Sequence, residues 1–229
     1  MKIHRFFTTA FAEDADTITL TDHDALHQIT KVLRLTPGET IALCPGNGDE
    51  LRVVISSVTK NTLIGSLTEK ISQHNNLLTT VTLYLAILKR ENFELALQKA
   101  VEIGVSSIIP LITSRTIKTG LNYSRLEKII KEASEQSGRT TLPELGQITH
   151  FSDALTDAHT YGKVILCDPR GEQTLTQENC VIFIGPEGGF TSEEIAFAEK
   201  SGAHIANLGP SILRGETAAI VASYIATHK

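Results

Sequence analysis

The chain has 229 residues, 41% of them hydrophobic and 21% charged, so it is long enough for one large domain or two modest ones and reads as an ordinary globular protein rather than a disordered one. No apolar run approaches the roughly 20 residues of a membrane span, and Met1-Lys2-Ile3-His4-Arg5-Phe6-Phe7 lacks the pattern of a signal peptide, so no membrane partner and a cytoplasmic location are expected. The formal net charge of −5 argues against a protein that coats nucleic acid through sheer positive charge, while leaving room for a nucleic-acid enzyme with one basic face.

The first part of the chain reads as short strands. Thr40-Ile41-Ala42-Leu43-Cys44 runs into the turn-forming Pro45-Gly46-Asn47-Gly48-Asp49, and strand candidates follow at 51–58 and 62–67. A short helix is expected over 24–32. Several strands joined by glycine-rich turns point to a small β-barrel over residues 1–70. The polar stretch 71–79 is a plausible boundary.

Beyond it, from residue 75 to 229, strand and helix alternate. Strands are expected at 81–88, 107–112, 163–167, 181–184 and 204–208. Helices are expected at 91–103, 124–137, 191–200 and 216–227, with Gly104 ending the first and Thr191 paired with Glu194 to open the third. This alternation predicts an α/β domain with a mainly parallel sheet. Cys44, Cys167 and Cys180 are too scattered for a zinc site or a disulfide framework, and His23 with His27 lacks a third ligand, so no metal is expected.

The glycines mark the chemistry. Gly185, Gly188 and Gly189 follow the apolar strand 181–184 and precede a capped helix; Gly209-Pro210-Ser211-Ile212-Leu213-Arg214-Gly215 follows the next strand and enters the last helix. Ligands of open α/β sheets bind beyond the carboxyl ends of the strands, where glycine lets backbone approach closely. Each loop alone is equally well read as a tight turn. Neither matches a nucleotide-phosphate cradle of the G-x-x-x-x-G-K-[ST] or G-x-G-x-x-G kind.

Taken in order, Ile184-Gly185-Pro186-Glu187-Gly188-Gly189-Phe190, Leu208-Gly209 and Ile212-Leu213-Arg214-Gly215-Glu216-Thr217-Ala218 resemble the uridine-N3 methyltransferase family of small-subunit (16S) ribosomal RNA, within the SPOUT superfamily. Supporting blocks run along nearly the whole chain: His4-Arg5-Phe6-Phe7, Val32-Leu33-Arg34, Gly46-Asn47-Gly48, 89–105, and Glu132-Ala133 with Glu135-Gln136-Ser137 and Arg139. Two departures stand out. Gly215 occupies a place where the family often has a larger residue, and Ser114-Arg115-Thr116 is a looser match.

The resemblance implies an N-terminal PUA-like β-barrel that binds RNA and a C-terminal trefoil-knotted α/β methyltransferase domain. It implies an S-adenosylmethionine site formed by Leu166, Ile184, Gly185, Pro186, Glu187, Gly188, Gly189, Leu208, Gly209, Ile212, Leu213, Thr217 and Ala218. It also implies 16S ribosomal RNA or the small ribosomal subunit as partner, and a homodimer. Core packing is the plainer reading of Ala218, Ala219, Ala222 and Ala226 in the last helix. Methylation of uracil N3 requires loss of a proton and stabilisation of an anionic ring. Arg214 is the candidate for the second task and Glu216 for the first, although a carboxylate at a helix start also suits the helix dipole. Arg5, Arg34 and Arg139 are candidate RNA contacts. Two rivals remain: a ribose 2′-O methyltransferase of the same superfamily, disfavoured by Leu213-Arg214-Gly215-Glu216-Thr217, and a non-catalytic RNA-binding module, which leaves the glycine loops without a role.

Overall fold

A computed structural model describes residues 3–72, 79–117, 119–172 and 174–228. The chain forms two compact units: Met1–Asn76 with Ser134–Leu142, and Leu77–Ala133 with Pro143–Lys229. Most of the expected polar break, residues 73–78, lies outside the described residues.

The first unit contains β1 (His4–Phe7), β2 (Phe11–Asp14), β3 (Thr17–Leu20), α1 (His23–His27), β4 (Thr40–Cys44), β5 (Asp49–Val58) and β6 (Leu63–Ser72). They make one six-stranded sheet in the order β1-β4-β5-β6-β3-β2. Only β1 and β4 pair in parallel; the other pairs are antiparallel, including the β4–β5 hairpin expected around Gly46 and Gly48. Both of these glycines have positive φ, as the turn demands. The helix expected over 24–32 is interrupted: α1 ends at His27 and a π-helical turn covers Gln28–Val32. Alternating side chains of β5 bury Leu51, Val53 and Ile55 against Phe6, Ile18, Leu26, Ile29 and Leu43. The segment Ser134–Leu142 joins this unit through Glu135, whose Oε1 accepts from the Phe7 N–H at 2.9 Å.

The second unit contains β7 (Val81–Ala86), α2 (Arg90–Ile103), β8 (Ser107–Ile112), the greater part of α3 (Tyr123–Ser137), β9 (Glu144–Leu145), β10 (Thr149–His150), α4 (Phe151–Ala158), β11 (Lys163–Cys167), β12 (Cys180–Ile184), α5 (Ser192–Lys200), β13 (His204–Ala206) and α6 (Gly215–Thr227). The sheet order is β10-β8-β7-β12-β11-β13 with β9 beside β8, and every pair is parallel. Central β7 and β12 are buried along their whole length, which is why β12 reads as an unbroken apolar run and β7 as one interrupted only by Thr82. Helices cover both faces. Phe93 and Leu97 of α2, Leu126 and Ile130 of α3, and Ala219, Ala222 and Ala226 of α6 share one core. Ala154 and Leu155 of α4 and Ala198 of α5 share the other, where Tyr84 stacks on Phe183 at 4.6 Å. Three of the four alanines of α6 are thus core residues, and their small size lets α6 lie close on α2. Gly104 ends α2 at φ 111°, in the left-handed region that glycine favours.

Candidate active site

Because all strands of the second sheet point the same way, the segments after β7, β8, β11, β12 and β13 emerge at one end, and they border a single cavity of about 770 Å³. From the segment after β12 it is lined by Ile184, Gly185, Pro186, Glu187, Gly188, Gly189 and Phe190. From the segment after β13 it is lined by Leu208, Ile212, Leu213, Arg214, Gly215, Glu216 and Ala218.

The 185–190 loop is tightly folded. A Cβ on Gly185 would lie 3.0 Å from the Phe190 ring, so the ring closes under the loop only because residue 185 has no side chain. Gly189 sits at φ 66° and its N–H donates to the Pro186 carbonyl at 2.8 Å. Thr191 then caps α5 in the expected capping box: its Oγ1 accepts from the Glu194 N–H at 3.1 Å and its own N–H donates to Glu194 Oε2 at 2.8 Å. The other Glu194 oxygen accepts from the Ser114 N–H at 2.7 Å. Glu187 Oε1 accepts from the Lys89 N–H at 3.1 Å.

Two arginines reach the same loop. Arg115 Nη1 donates to the Gly188 carbonyl at 2.6 Å and to the Phe190 carbonyl at 3.5 Å. Arg170 Nη2 donates to the Phe190 carbonyl at 2.9 Å while its Nε and Nη2 grip Asp168 at 2.7 and 3.0 Å. Burial alone would raise the Asp168 carboxyl, but the hydrogen bonds and charge of Arg170 outweigh it and hold the group below the usual aspartate range.

The 207–214 loop is tethered more sparsely. Asn207 Nδ2 donates to the Pro169 carbonyl at 3.1 Å, and its Oδ1 accepts from the Gly209 N–H at 2.8 Å. Ile212 is 86% exposed. Arg214 occupies the position before α6 with no side-chain capping bond, and its guanidinium has no hydrogen bond or ion pair among the described residues. Glu216, in the first turn of α6, is only 8% exposed, and its Oε2 is buried with no hydrogen-bond partner. An orphan carboxylate oxygen at a cavity wall is costly unless something donates to it. Gly215 leaves room for Leu88: a Cβ there would stand 2.9 Å from Leu88 Cδ2, so a larger residue requires that side chain to shift.

Three of the residues expected in a cofactor site lie off this cavity. Leu166 is fully buried in the core, Thr217 is exposed, and Gly209 borders a neighbouring hollow of about 440 Å³ that shares Leu208. The three arginines expected to meet RNA belong to the first unit. Arg5 Nε donates to the buried Glu50 Oε2 at 2.8 Å, and Glu50 also pairs with Arg52. Arg139 Nε donates to the Thr141 carbonyl at 3.2 Å, and burial pushes its guanidinium down to about 10, still cationic at neutral pH. Arg34 is exposed and holds a positive φ of 55°.

Sequence reading did not single out Lys89, Arg115, Asp168, Arg170 or Asn207 as site residues, although all line the cavity. The signal was positional. Asp168-Pro169-Arg170-Gly171 is a turn directly after β11, as the two glycine loops are turns directly after β12 and β13.

Comparison with known proteins agrees with this geometry. The family described as RNA methyltransferase domain matches residues 74–227. The chain is 32% identical over 230 residues to the ribosomal RNA small subunit methyltransferase E of Rickettsia conorii, covering 97% of this chain and 94% of that one. It is 38% identical over 162 residues to the protein of that name from Mesomycoplasma hyopneumoniae, covering 66% of this chain and 71% of that one. Among solved structures, a ribosomal RNA small subunit methyltransferase E from Neisseria gonorrhoeae bound to S-adenosyl methionine superposes with a TM-score of 0.85 at 28% identity, covering 97% of this chain and 95% of that one. A Legionella pneumophila protein in complex with bound cofactor SAM superposes with a TM-score of 0.86 at 28% identity, covering 97% and 96%.

Proposed function

Since the chain belongs to the ribosomal RNA small subunit methyltransferase E family, we propose that it uses S-adenosylmethionine to methylate N3 of a uridine in 16S ribosomal RNA. The observation that carries this reading is the cavity walled by the 185–190 and 207–214 loops, in a fold shared over nearly its whole length with relatives solved bound to S-adenosylmethionine.

The residues present fit that cofactor. A cavity of about 770 Å³ falls within the size range of small-molecule sites, and Leu208, Ile212 and Leu213 offer an aliphatic slot beside the glycine backbone. Bound there, the cofactor supplies a methyl group made electrophilic by its sulfonium. The chain supplies the rest. Arg214, whose donors are uncommitted, stabilises the carbonyl oxygen on which charge collects as the uracil ring becomes anionic. Glu216, with its orphan oxygen at the cavity wall, accepts the N3 proton. Burial beyond what a helix-dipole role requires is what favours the second assignment.

On the same premise the second unit is a trefoil-knotted SPOUT domain. The return of the chain after β13 into α6, which packs on α2 and on β7 and β12, supports this. The first unit is a PUA-like barrel that contacts RNA through Arg5, Arg34 and Arg139; its six-stranded sheet, with parallel β1–β4 pairing, supports that reading. The exposed apolar side chain of Ile212 suits a homodimer formed beside the cavity. A cytoplasmic location is part of the same proposal, supported by ribosomal RNA as the substrate.

Calorimetry with S-adenosylmethionine, followed by methylation of small subunits or their RNA and nucleoside mass spectrometry, tests the proposal. N3-methyluridine is the expected product. Absence of cofactor binding, or 2′-O-methyl nucleosides in its place, overturns it.

A further inference from the structure

The 185–190 loop carries three glycines in six residues, a composition that leaves backbone torsions loosely determined and makes an ordered ligand wall entropically expensive. Yet two of its peptide planes are held at both ends. In the Gly188–Gly189 peptide the carbonyl accepts from Arg115 Nη1 and the N–H donates to the Pro186 carbonyl. In the Phe190–Thr191 peptide the carbonyl accepts from Arg170 and the N–H donates to Glu194. A trans peptide directs its carbonyl and N–H oppositely, so fixing both ends fixes the plane. The N–H groups of Glu187, Gly188 and Phe190 are left uncommitted among the described residues, on a segment that lines the cavity.

We propose that Arg115 and Arg170 are positioning residues: a two-armed brace that orients the backbone of the 185–190 loop so that its free N–H groups are pre-set for the cofactor.

The arms come from opposite flanks of the sheet. Arg115 follows β8, two strands to one side of β12, and Arg170 follows β11, its neighbour on the other. Each is anchored in turn. Asp168 holds Arg170 through two parallel N–H···O bonds, and the Asp168 N–H donates to the Ala206 carbonyl at 3.0 Å. Glu194 ties the N–H of Ser114, next to Arg115, to the start of α5, and Thr113 and Thr116 close the turn through N–H···Oγ1 and N–H···O bonds of 2.9 and 3.1 Å. Gly188 is part of the device. A Cβ there would lie 3.3 Å from Arg115 Cδ and 3.5 Å from its Cβ, so the arginine stem uses the space a side chain would need. Hydrogen bonds from a guanidinium to a carbonyl are charge-assisted and stronger than neutral ones, which suits a segment with little intrinsic stiffness.

The inference rests on the 185–190 loop being a cofactor wall, and its test separates the two ideas. Arg115→Met keeps the stem over Gly188 and removes the donors; Arg115→Lys restores a single donor; Arg170→Met removes the second arm. Three quantities are read on the full chain: amide exchange of residues 185–191 in cofactor-free protein, S-adenosylmethionine affinity by calorimetry, and the split between KM for cofactor and kcat. In each Met variant, exchange in that segment is expected to rise about tenfold and cofactor affinity to fall about tenfold, roughly 1.4 kcal/mol. The expected kcat at saturating cofactor stays within about twofold, since the loss is one of ground-state binding. Arg115→Lys is expected to recover part of both changes. Unchanged exchange and affinity in both Met variants overturn the brace, as does loss of exchange protection spread evenly over the second unit. If the unaltered protein fails to bind S-adenosylmethionine, the proposed function falls, and the exchange data alone still decide whether the arginines hold the loop.

Discussion

The two loops that wall the cavity are built in opposite ways. The 185–190 loop has its carbonyls gripped by Arg115 and Arg170, its Glu187 carboxylate engaged by the Lys89 N–H, and its exit locked by a capping box. The 207–214 loop is held chiefly through Asn207, exposes Ile212, and carries in Arg214 a guanidinium with no partner among the described residues. Under the proposed function, the difference divides labour. A wall that recognises a ligand by backbone gains from having no freedom, whereas groups that answer charge developing during a reaction must arrive uncommitted.

Changes in the second loop should therefore act on rate and changes in the first on binding. The largest expected effect is Arg214→Ala: single-turnover methyl transfer slowed about 10³-fold with cofactor affinity by calorimetry unchanged. An affinity loss comparable to the rate loss would erase the division. Next is Glu216→Gln, for which turnover falls about 10²-fold while thermal stability holds or rises by about 1 kcal/mol, because an unpartnered buried carboxylate is exchanged for a neutral amide. A marked fall in melting temperature would show that the carboxylate is structural.

Gly185→Ala and Ile212→Ala sharpen the contrast in stability. The first presses a methyl group against the Phe190 ring and should cost about 1–3 kcal/mol in denaturant unfolding together with weaker cofactor binding. The second removes a side chain that is 86% exposed and should stay within about 0.5 kcal/mol. Equal effects would mean the loops are equally packed.

The smallest effect concerns pH. Asp168 has a carboxyl held below its ordinary range in the folded protein, so its pairing with Arg170 contributes stability above the unfolded aspartate range, and that contribution is lost as pH falls through the depressed folded value. Melting of the protein and of Asp168→Asn compared along an acid series should show the gap between them closing toward low pH. A gap constant with pH would exclude a charged role for Asp168 in the brace.

Local rules exposed much of this in the sequence. Strand β12 was legible because a strand buried on both faces must be apolar throughout, and α5 because Thr191 and Glu194 spell a capping box. The glycine loops were legible for the same reason: their conformational demands lie within a few adjacent residues. The brace was not, since Arg115 and Arg170 are 73 and 20 residues from the carbonyls they bind, and only the parallel registry of β8, β12 and β11 brings them together. Helix α4 has Asp153 in its first turn and Phe151, Ala154, Leu155 and Ala158 at helical spacing, but it is eight residues long and His150 gives it no side-chain cap, so its signal is short. Orphan burial at Glu216 likewise depends on tertiary packing. What the resemblance to the methyltransferase family added, residue by residue, was the expectation that the 185–189 and 208–213 segments wall one pocket, and all of those residues but Gly209 and Pro210 line the same cavity.

The close approach of Leu88 to Gly215 carries an evolutionary consequence. A Cβ at position 215 would fall 2.9 Å from Leu88 Cδ2, so the missing side chain on α6 and the bulky one after β7 fill the same space by turns. Chains of this family with a larger residue at the place of Gly215 should carry a smaller or differently shaped partner at the place of Leu88, so that the two sites drift as a linked pair. In a laboratory graft, Gly215→Thr would then be tolerated only in the company of a trimmed residue 88.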